Sequence, residues 1–282
     1  MASIITFINM KGGVGKTTLC VGIGDYLSEK MNKKILIVDL DPQFNSTQSL
    51  LNKHNMVELY FDELLKNEKT IRKIYKIPNS INERVQPPSK ADVIVNLTKN
   101  LDIILGDINI IFDDSNRDIR VKKLKKFIDD NNLRDEYDYI LIDSPPTISL
   151  YTDTALVASD FYLTPIKIDQ YSLLGASSLL TVIKNQIENY ELKIKSLGFI
   201  YTNVEDCMTD KTKKIKNKFE AYPDFSDFYF FKNKLSFVRD LMVGMSGNIL
   251  SSYQKSRNDV SLICQELEDR VNSLRKEGND EQ

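Results

Sequence analysis

The sequence predicts an α/β fold, a mostly parallel, twisted sheet with helices on both faces. Three observations carry this. Apolar, strand-like runs alternate along the chain with segments of helical spacing. Several runs, such as Ile35-Leu36-Ile37-Val38, are apolar throughout, as a buried strand requires. The residues with chemical potential lie just past the C-terminal ends of these runs, where open α/β sheets bind ligands.

The elements follow in order. Ile4-Ile5-Thr6-Phe7-Ile8 predicts a strand over 3–8, and Leu19, Ile23 and Leu27 share one face of a helix over 17–30. Further strands are expected at 34–39, 101–106, 138–143, 160–166 and 197–202. Amphipathic helices are expected at 117–131, 172–189 and 209–220, with a C-terminal helix over 253–277. This alternation implies right-handed βαβ units. Residues 79–99 hold Pro87-Pro88 between polar flanks and read as a surface excursion, not a domain boundary. With no internal repeat and no low-complexity segment, the 282 residues read as one domain over 1–282.

The first turn carries the strongest signal. Lys11-Gly12-Gly13-Val14-Gly15-Lys16-Thr17-Thr18 sits between a strand and a helix, the setting of a phosphate-binding loop. Its glycines let successive N–H groups curl around phosphate oxygens, and the helix N-terminus favours their charge. Lys16 is placed to reach the β- and γ-phosphates, and the Thr17 hydroxyl to ligate Mg²⁺. The strict pattern wants glycine where Met10 stands, and a second lysine, Lys11, precedes the glycines instead.

With that lysine the loop resembles the deviant Walker A loop of the ParA/MinD family of P-loop ATPases. The resemblance implies a P-loop NTPase fold in which Lys11 reaches across to the nucleotide of a second subunit, while Lys16 serves its own. Asp39-Leu40-Asp41-Pro42-Gln43, closing an apolar strand, resembles the family's second motif. It implies that Asp41 positions the attacking water, with Asp39 nearer the Mg²⁺ shell. Tyr139 to Asp143 resembles a Walker B strand, with Asp143 holding Mg²⁺ mainly through water and Pro145-Pro146-Thr147 similar to the second switch. Leu59 to Leu65 resembles the family's post-switch helix. Leu163-Thr164-Pro165-Ile166, leading into the Leu-x-Gly pattern of Ser172-Leu173-Leu174-Gly175, resembles the partition branch. Near 230 the family's proline-led, arginine-rich strand is replaced by Phe228-Tyr229-Phe230-Phe231-Lys232-Asn233-Lys234.

Thr202-Asn203-Val204-Glu205-Asp206 falls where the family's base would lie. A guanine clamp needs lysine where Val204 stands, so ATP is favoured, with Asn203 either touching adenine or only starting a turn. Lys211, Lys213, Lys214, Lys216 and Lys218 fall within eight residues, and at helical spacing Lys211, Lys214 and Lys218 share a face. Lys232, Lys234 and Arg239 form a second basic group. These six are candidate contacts to nonspecific double-stranded DNA, weighed against a solvated lysine face. Arg120, Lys122, Lys123, Lys125 and Lys126 read as such a solvated face, and His54, the one histidine, as a surface residue.

Composition narrows the function. A net charge of −2 leaves any nucleic-acid contact to a local patch. Cys20, Cys207 and Cys264 have no metal-ligand spacing and fit a reducing cytosol, with Cys20 buried on the first helix. No apolar run is long enough for a membrane span. The loop begins ten residues in, which leaves no room ahead of it for a DNA-reading domain. The acidic C-terminus, Asp269 to Gln282, argues against a MinD-like membrane helix. An iron–sulfur relative would need cysteines beside Ser144-Pro145-Pro146. The resemblance therefore implies a cytoplasmic ATPase, nucleoid-associated in its ATP state, that uses ATP and Mg²⁺ to close a homodimer. That dimer would bind DNA and be released by hydrolysis, with a ParB-like centromere-binding partner. The alternatives are positioning of a protein cargo or a MinD-like membrane role.

Overall fold

The computed structural model describes residues 1–77, 85–113, 117–243 and 249–280. Its strands are β1 (Ser3–Phe7), β2 (Ile35–Asp39), β3 (Ile94–Thr98), β4 (Leu101–Ile104), β5 (Tyr139–Asp143), β6 (Phe161–Ile166) and β7 (Lys195–Tyr201). They form one seven-stranded sheet in the order β3-β4-β2-β5-β1-β6-β7. Every pairing is parallel except β3 with β4. The expected α/β class and mostly parallel sheet are what the chain adopts.

Its helices of eight or more described residues are α1 (Lys16–Lys30), α2 (Asn45–Lys53), α3 (Lys123–Asp130), α4 (Leu150–Ala158), α5 (Ser172–Tyr190), α6 (Asp210–Glu220) and α7 (Gln254–Asp280). The central strands send alternate residues into two cores. Ile5, Phe7, Ile35, Ile37 and Leu141 pack with Leu19 and Ile23 of α1 and Val260, Ile263 and Leu267 of α7. Ile4, Leu36, Val38, Ile140 and Ile142 face the opposite way, onto Leu124 and Phe127 of α3 and Leu150 and Ala155 of α4. Burial on both faces explains why these strands read as unbroken apolar runs.

Several expectations change. The excursion at 79–99 contains a helical turn, Lys90–Val93, and the edge strand β3, while 79–84 lies outside the described residues. The helix expected over 117–131 divides into Arg117–Arg120 and α3. Lys125 and Lys126 do pair with Asp129 and Asp130 at its surface, but Arg120 is buried. Most of the segment expected as a post-switch helix, Tyr60–Leu64, is a π-helical turn. His54 is half-buried at the end of α2 and not a surface residue, and burial lowers its pKa. Cys20 is buried, as expected.

The segment replacing the arginine-rich strand still lies along β7, as an irregular edge. Phe231 N–H donates to the Phe199 carbonyl at 2.9 Å, and Leu235 N–H to that of Tyr201 at 2.8 Å. Gly198, at φ 122, makes this approach possible: a Cβ there would stand 2.1 Å from the Tyr229 carbonyl oxygen. Glu266 of α7 fastens the same segment, accepting from the Tyr229 hydroxyl and the N–H groups of Lys232 and Asn233.

Candidate nucleotide site

The loop after β1 is held from behind and left open in front. Asn9 Nδ2 donates to the Pro165 carbonyl at 2.8 Å, and its Oδ1 accepts the Lys11 N–H at 2.9 Å. Thr202 Oγ1 donates to the Val14 carbonyl at 2.7 Å. Gly15 caps α1 in left-handed backbone at φ 87, and Gly12 has open space where a side chain would be. The first turn of α1 contains no acidic residue and no side-chain cap, so its N–H groups remain free for an anion. Lys16 at its start is 6% exposed. Burial lowers its pKa, while Asp143 and then Asp41 act to hold its charge.

Parallel registry brings the carboxylates to this loop. Asp39 ends β2 directly beside Asp143 of β5, and Asp143 also pairs with Phe7 at the end of β1. Both carboxylates are fully buried, and burial pushes both pKa values up. The start of α2 latches onto them. Ser46 Oγ donates to Asp143 Oδ2 at 2.7 Å, while Thr47 donates through both N–H and Oγ1 to Asp39 Oδ2 at 2.8 Å. Asp39 Oδ1 accepts the Asp41 N–H at 3.2 Å. Asp41 itself accepts the Gln43 N–H at 2.9 Å and lies at the site's mouth, 7% exposed.

These groups fit a divalent cation held jointly with phosphate. Asp143 and Asp41 act on the single ammonium of Lys16, and Asp39 crowds against Asp143, which is unfavourable for two carboxylates without a cation between them. Asp143 Oδ1 is buried without a well-formed hydrogen bond, although the Thr17 hydroxyl lies close enough to help hold its charge. Among the described residues no cluster of three or more His, Cys, Asp or Glu side chains closes a metal cage alone. The remaining oxygens must come from a ligand, as Mg²⁺ at phosphate sites requires.

Lys11 behaves differently from Lys16. Its side chain is 38% exposed and forms an ion pair with Asp169, in the loop after β6. Burial would raise the Asp169 pKa, but Lys11 and the Tyr171 N–H bring it below the usual range. Asn203 follows Thr202 in left-handed backbone at φ 54, half-buried.

The basic candidates lie at the β7 edge. Lys211, Lys214 and Lys218 are exposed on α6, while Phe219 is buried beneath them. Lys216 turns inward, pairing with Glu220 at 2.6 Å and lying 5.1 Å above the Tyr201 ring. Lys232 and Arg239 are exposed, and Lys234 is half-buried. Sequence reasoning missed Asp169, Ser46 and Thr47, and it read Thr202 only as part of the segment near the base, not as the residue that fastens the loop through Val14. Ser46 and Thr47 left a signal, hydroxyls just after the acidic motif.

The family model described as an AAA domain matches residues 2–196. The sporulation initiation inhibitor protein Soj of Bacillus subtilis is 33% identical over 192 residues, 65% of this chain and 66% of that protein. The chromosome-partitioning ATPase Soj of Treponema pallidum is 27% identical over 229 residues, 79% of each chain. Among solved structures, the Cyanothece McdA–ATP complex superposes with a TM-score of 0.72 at 16% identity, covering 96% of both chains.

Proposed function

This chain belongs to the ParA/MinD family of P-loop ATPases, and from that premise we propose that it is a DNA-partition ATPase. In this reading it binds ATP with Mg²⁺, closes a homodimer, holds nonspecific double-stranded DNA in that state and lets go on hydrolysis. The observation that carries the reading is the division between the two loop lysines. Lys16 is buried beside Asp143 and Asp41, whereas Lys11 stands at the surface, paired among the described residues with Asp169.

The residues divide the work accordingly. The N–H groups of Gly12 to Thr18 and the Lys16 ammonium hold the phosphates. Thr17 and Asp143 would hold Mg²⁺, with Asp39 behind them fastening α2 through Thr47. Mg²⁺, when bound, supplies Lewis-acid stabilisation of the charge on the transferring phosphoryl group. Asp41 orients the attacking water and accepts its hydrogen bond. Lys11 exchanges Asp169 for the phosphates of the facing subunit, and Asn203 lies against adenine. Release by a ParB-like partner completes the cycle.

Support for the DNA-binding step comes from the exposed Lys211, Lys214 and Lys218. Dimerisation doubles these charges on one assembly, and phosphate contacts of this kind add steeply through counterion release. Among the described residues no helix is long and apolar enough to cross a membrane. A cytoplasmic, nucleoid-bound protein is the corresponding reading of location.

Sedimentation of the wild type and Lys11→Ala with ATP, ADP or no nucleotide tests the proposal. Dimers are expected only for the wild type with ATP. Lys11→Ala should bind one ATP per monomer and stay monomeric. An ATP dimer that ignores DNA would replace the partition reading with positioning of a protein cargo.

A further inference from the structure

Strand order sets out the proposed site along the C-terminal edge of the sheet. Asp39 and Asp143, at the cation and the terminal phosphate, end β2 and β5, and the phosphate loop follows β1. β6 comes next, and beyond it β7, after which Thr202 and Asn203 stand at the base. The first residue past β6, Lys167, therefore lies between the reacting end of the nucleotide and its base.

The root of Lys167 is fixed. Ile166 is buried and its carbonyl accepts the Thr202 N–H at 2.9 Å. The Lys167 carbonyl accepts the Asp169 N–H at 3.1 Å and also the Ser172 hydroxyl. From that root the side chain crosses to the phosphate loop, where a Cβ on Gly13 would stand 3.9 Å from Lys167 Nζ. Gly13 is in left-handed backbone at φ 68, so the residue facing this ammonium is held to glycine. The lysines around the turn differ in their counter-charges. Lys11 is paired with Asp169, and Lys16 lies beside Asp143 and Asp41. Lys167 is half-buried, and among the described residues its ammonium has no hydrogen bond and no ion pair. Asp169, the carboxylate nearest to it in sequence, is engaged by Lys11 and by the Tyr171 N–H. An ammonium set without a carboxylate against a loop of outward N–H groups stands at an electrostatic cost, which an anion at the loop removes.

We propose that Lys167 is a third phosphate-binding lysine of this site, acting within its own subunit on the α- and β-phosphates. The inference rests on the reading of the loop as the ATP site and adds a residue to it. The inner phosphates are common to ATP and ADP, so a contact there does not distinguish the two. Lys167 holds nucleotide before Lys11 has left Asp169, and it still holds it after the γ-phosphate has gone. Its contribution is to affinity in both states and to slow loss of ADP, a uniform binding interaction and not one made only in the transition state.

Fluorescent N-methylanthraniloyl ATP and ADP, each with Mg²⁺, are titrated into wild type, Lys167→Met, Lys167→Arg and Lys16→Ala. The protein is kept at concentrations where sedimentation shows monomers. Methionine retains an apolar stem and removes the charge, and its unfolding midpoint without nucleotide should match the wild type. Lys167→Met should bind both nucleotides about tenfold or more weakly, by a similar factor for each, as loss of a charge-assisted contact requires. ADP should also leave it faster in stopped flow, and Lys167→Arg should restore affinity close to the wild type. Unchanged affinity in Lys167→Met would overturn the contact and leave Lys167 a solvated lysine. A loss confined to ATP would overturn its place at the inner phosphates. A loss that arginine does not restore would assign the side chain to packing and overturn the role of its charge. Equal affinity in wild type and Lys16→Ala would sink the reading of the loop itself, whereas a weak Lys16→Ala beside a normal Lys167→Met would sink Lys167 alone.

Discussion

At the ends of β1, β2 and β5 the side chains are fixed by geometry, whereas at the edge of β7 they are fixed by packing. In the first region Asp39, Asp143 and Lys16 are buried, and hydrogen bonds from Ser46 and Thr47 set the carboxylate orientations. In the second, Lys211, Lys214 and Lys218 project into solvent from a helix seated on rings. Phe199 lies 5.4 Å from both Phe219 and Phe225 and 5.3 Å from Phe230, centroid to centroid. Buried charges tolerate no rearrangement, because each must keep its partners. An aromatic platform tolerates many sequences, provided the volume is filled. Chemistry that needs atoms at set distances belongs to the first region, and chemistry that needs only positive charge belongs to the second.

Substitutions separate the two. Lys16→Ala removes the buried ammonium and should weaken nucleotide binding by about 100-fold or more, because charge-assisted contacts to phosphate are the strong ones. Calorimetric titration checks it, and near-normal affinity would remove the loop from its role. Asp41→Ala should leave ATP affinity within a few-fold and reduce turnover by roughly 10²–10⁴, the range for loss of a positioned base. Turnover measured beside ATP-dimer lifetime would read both effects.

Gly198→Ala addresses the other region. Its methyl would collide with the Tyr229 carbonyl oxygen at φ 122, so a loss of about 1–3 kcal/mol or more is expected. Denaturant unfolding measures the loss, and nucleotide affinity of the folded fraction should be unchanged. A parallel loss of nucleotide affinity would break the comparison, since the two regions would then be mechanically one. The smallest effect belongs to Lys211→Ala/Lys214→Ala/Lys218→Ala. Stability and turnover should hold, while the salt dependence of DNA binding becomes shallower by roughly 0.9 for each lysine that meets a phosphate.

Legibility in the sequence follows the same division. Six strands lie within a few residues of their apolar runs, because burial on both faces leaves no polar interruption. The seventh, β3, is a half-exposed edge strand with Asn96 at its centre, and such a pattern does not stand out from a loop. Helix α2 was hidden by its composition, since Asn45, Ser46, Thr47 and Gln48 read locally as a turn. It is the two buried carboxylates that make hydroxyls favourable there. The motif residues of the nucleotide site were legible because glycine, lysine and aspartate at fixed spacing have few other uses. Asp169, and the support that Thr202 gives the loop, were not, since each acts on the turn after β1 from a segment far away in sequence.

The central claim, that nucleotide state at the first region governs DNA contact at the second, is tested most directly by one measurement. Binding to a nonspecific duplex is followed across a salt series, with ATP, ADP or no nucleotide, for the wild type and Asp41→Ala. The account predicts salt-sensitive binding with ATP alone, longer-lived in Asp41→Ala, with a slope that counts the phosphates contacted. Binding of equal strength in all three nucleotide states, or in none while ATP still drives dimerisation, would contradict it.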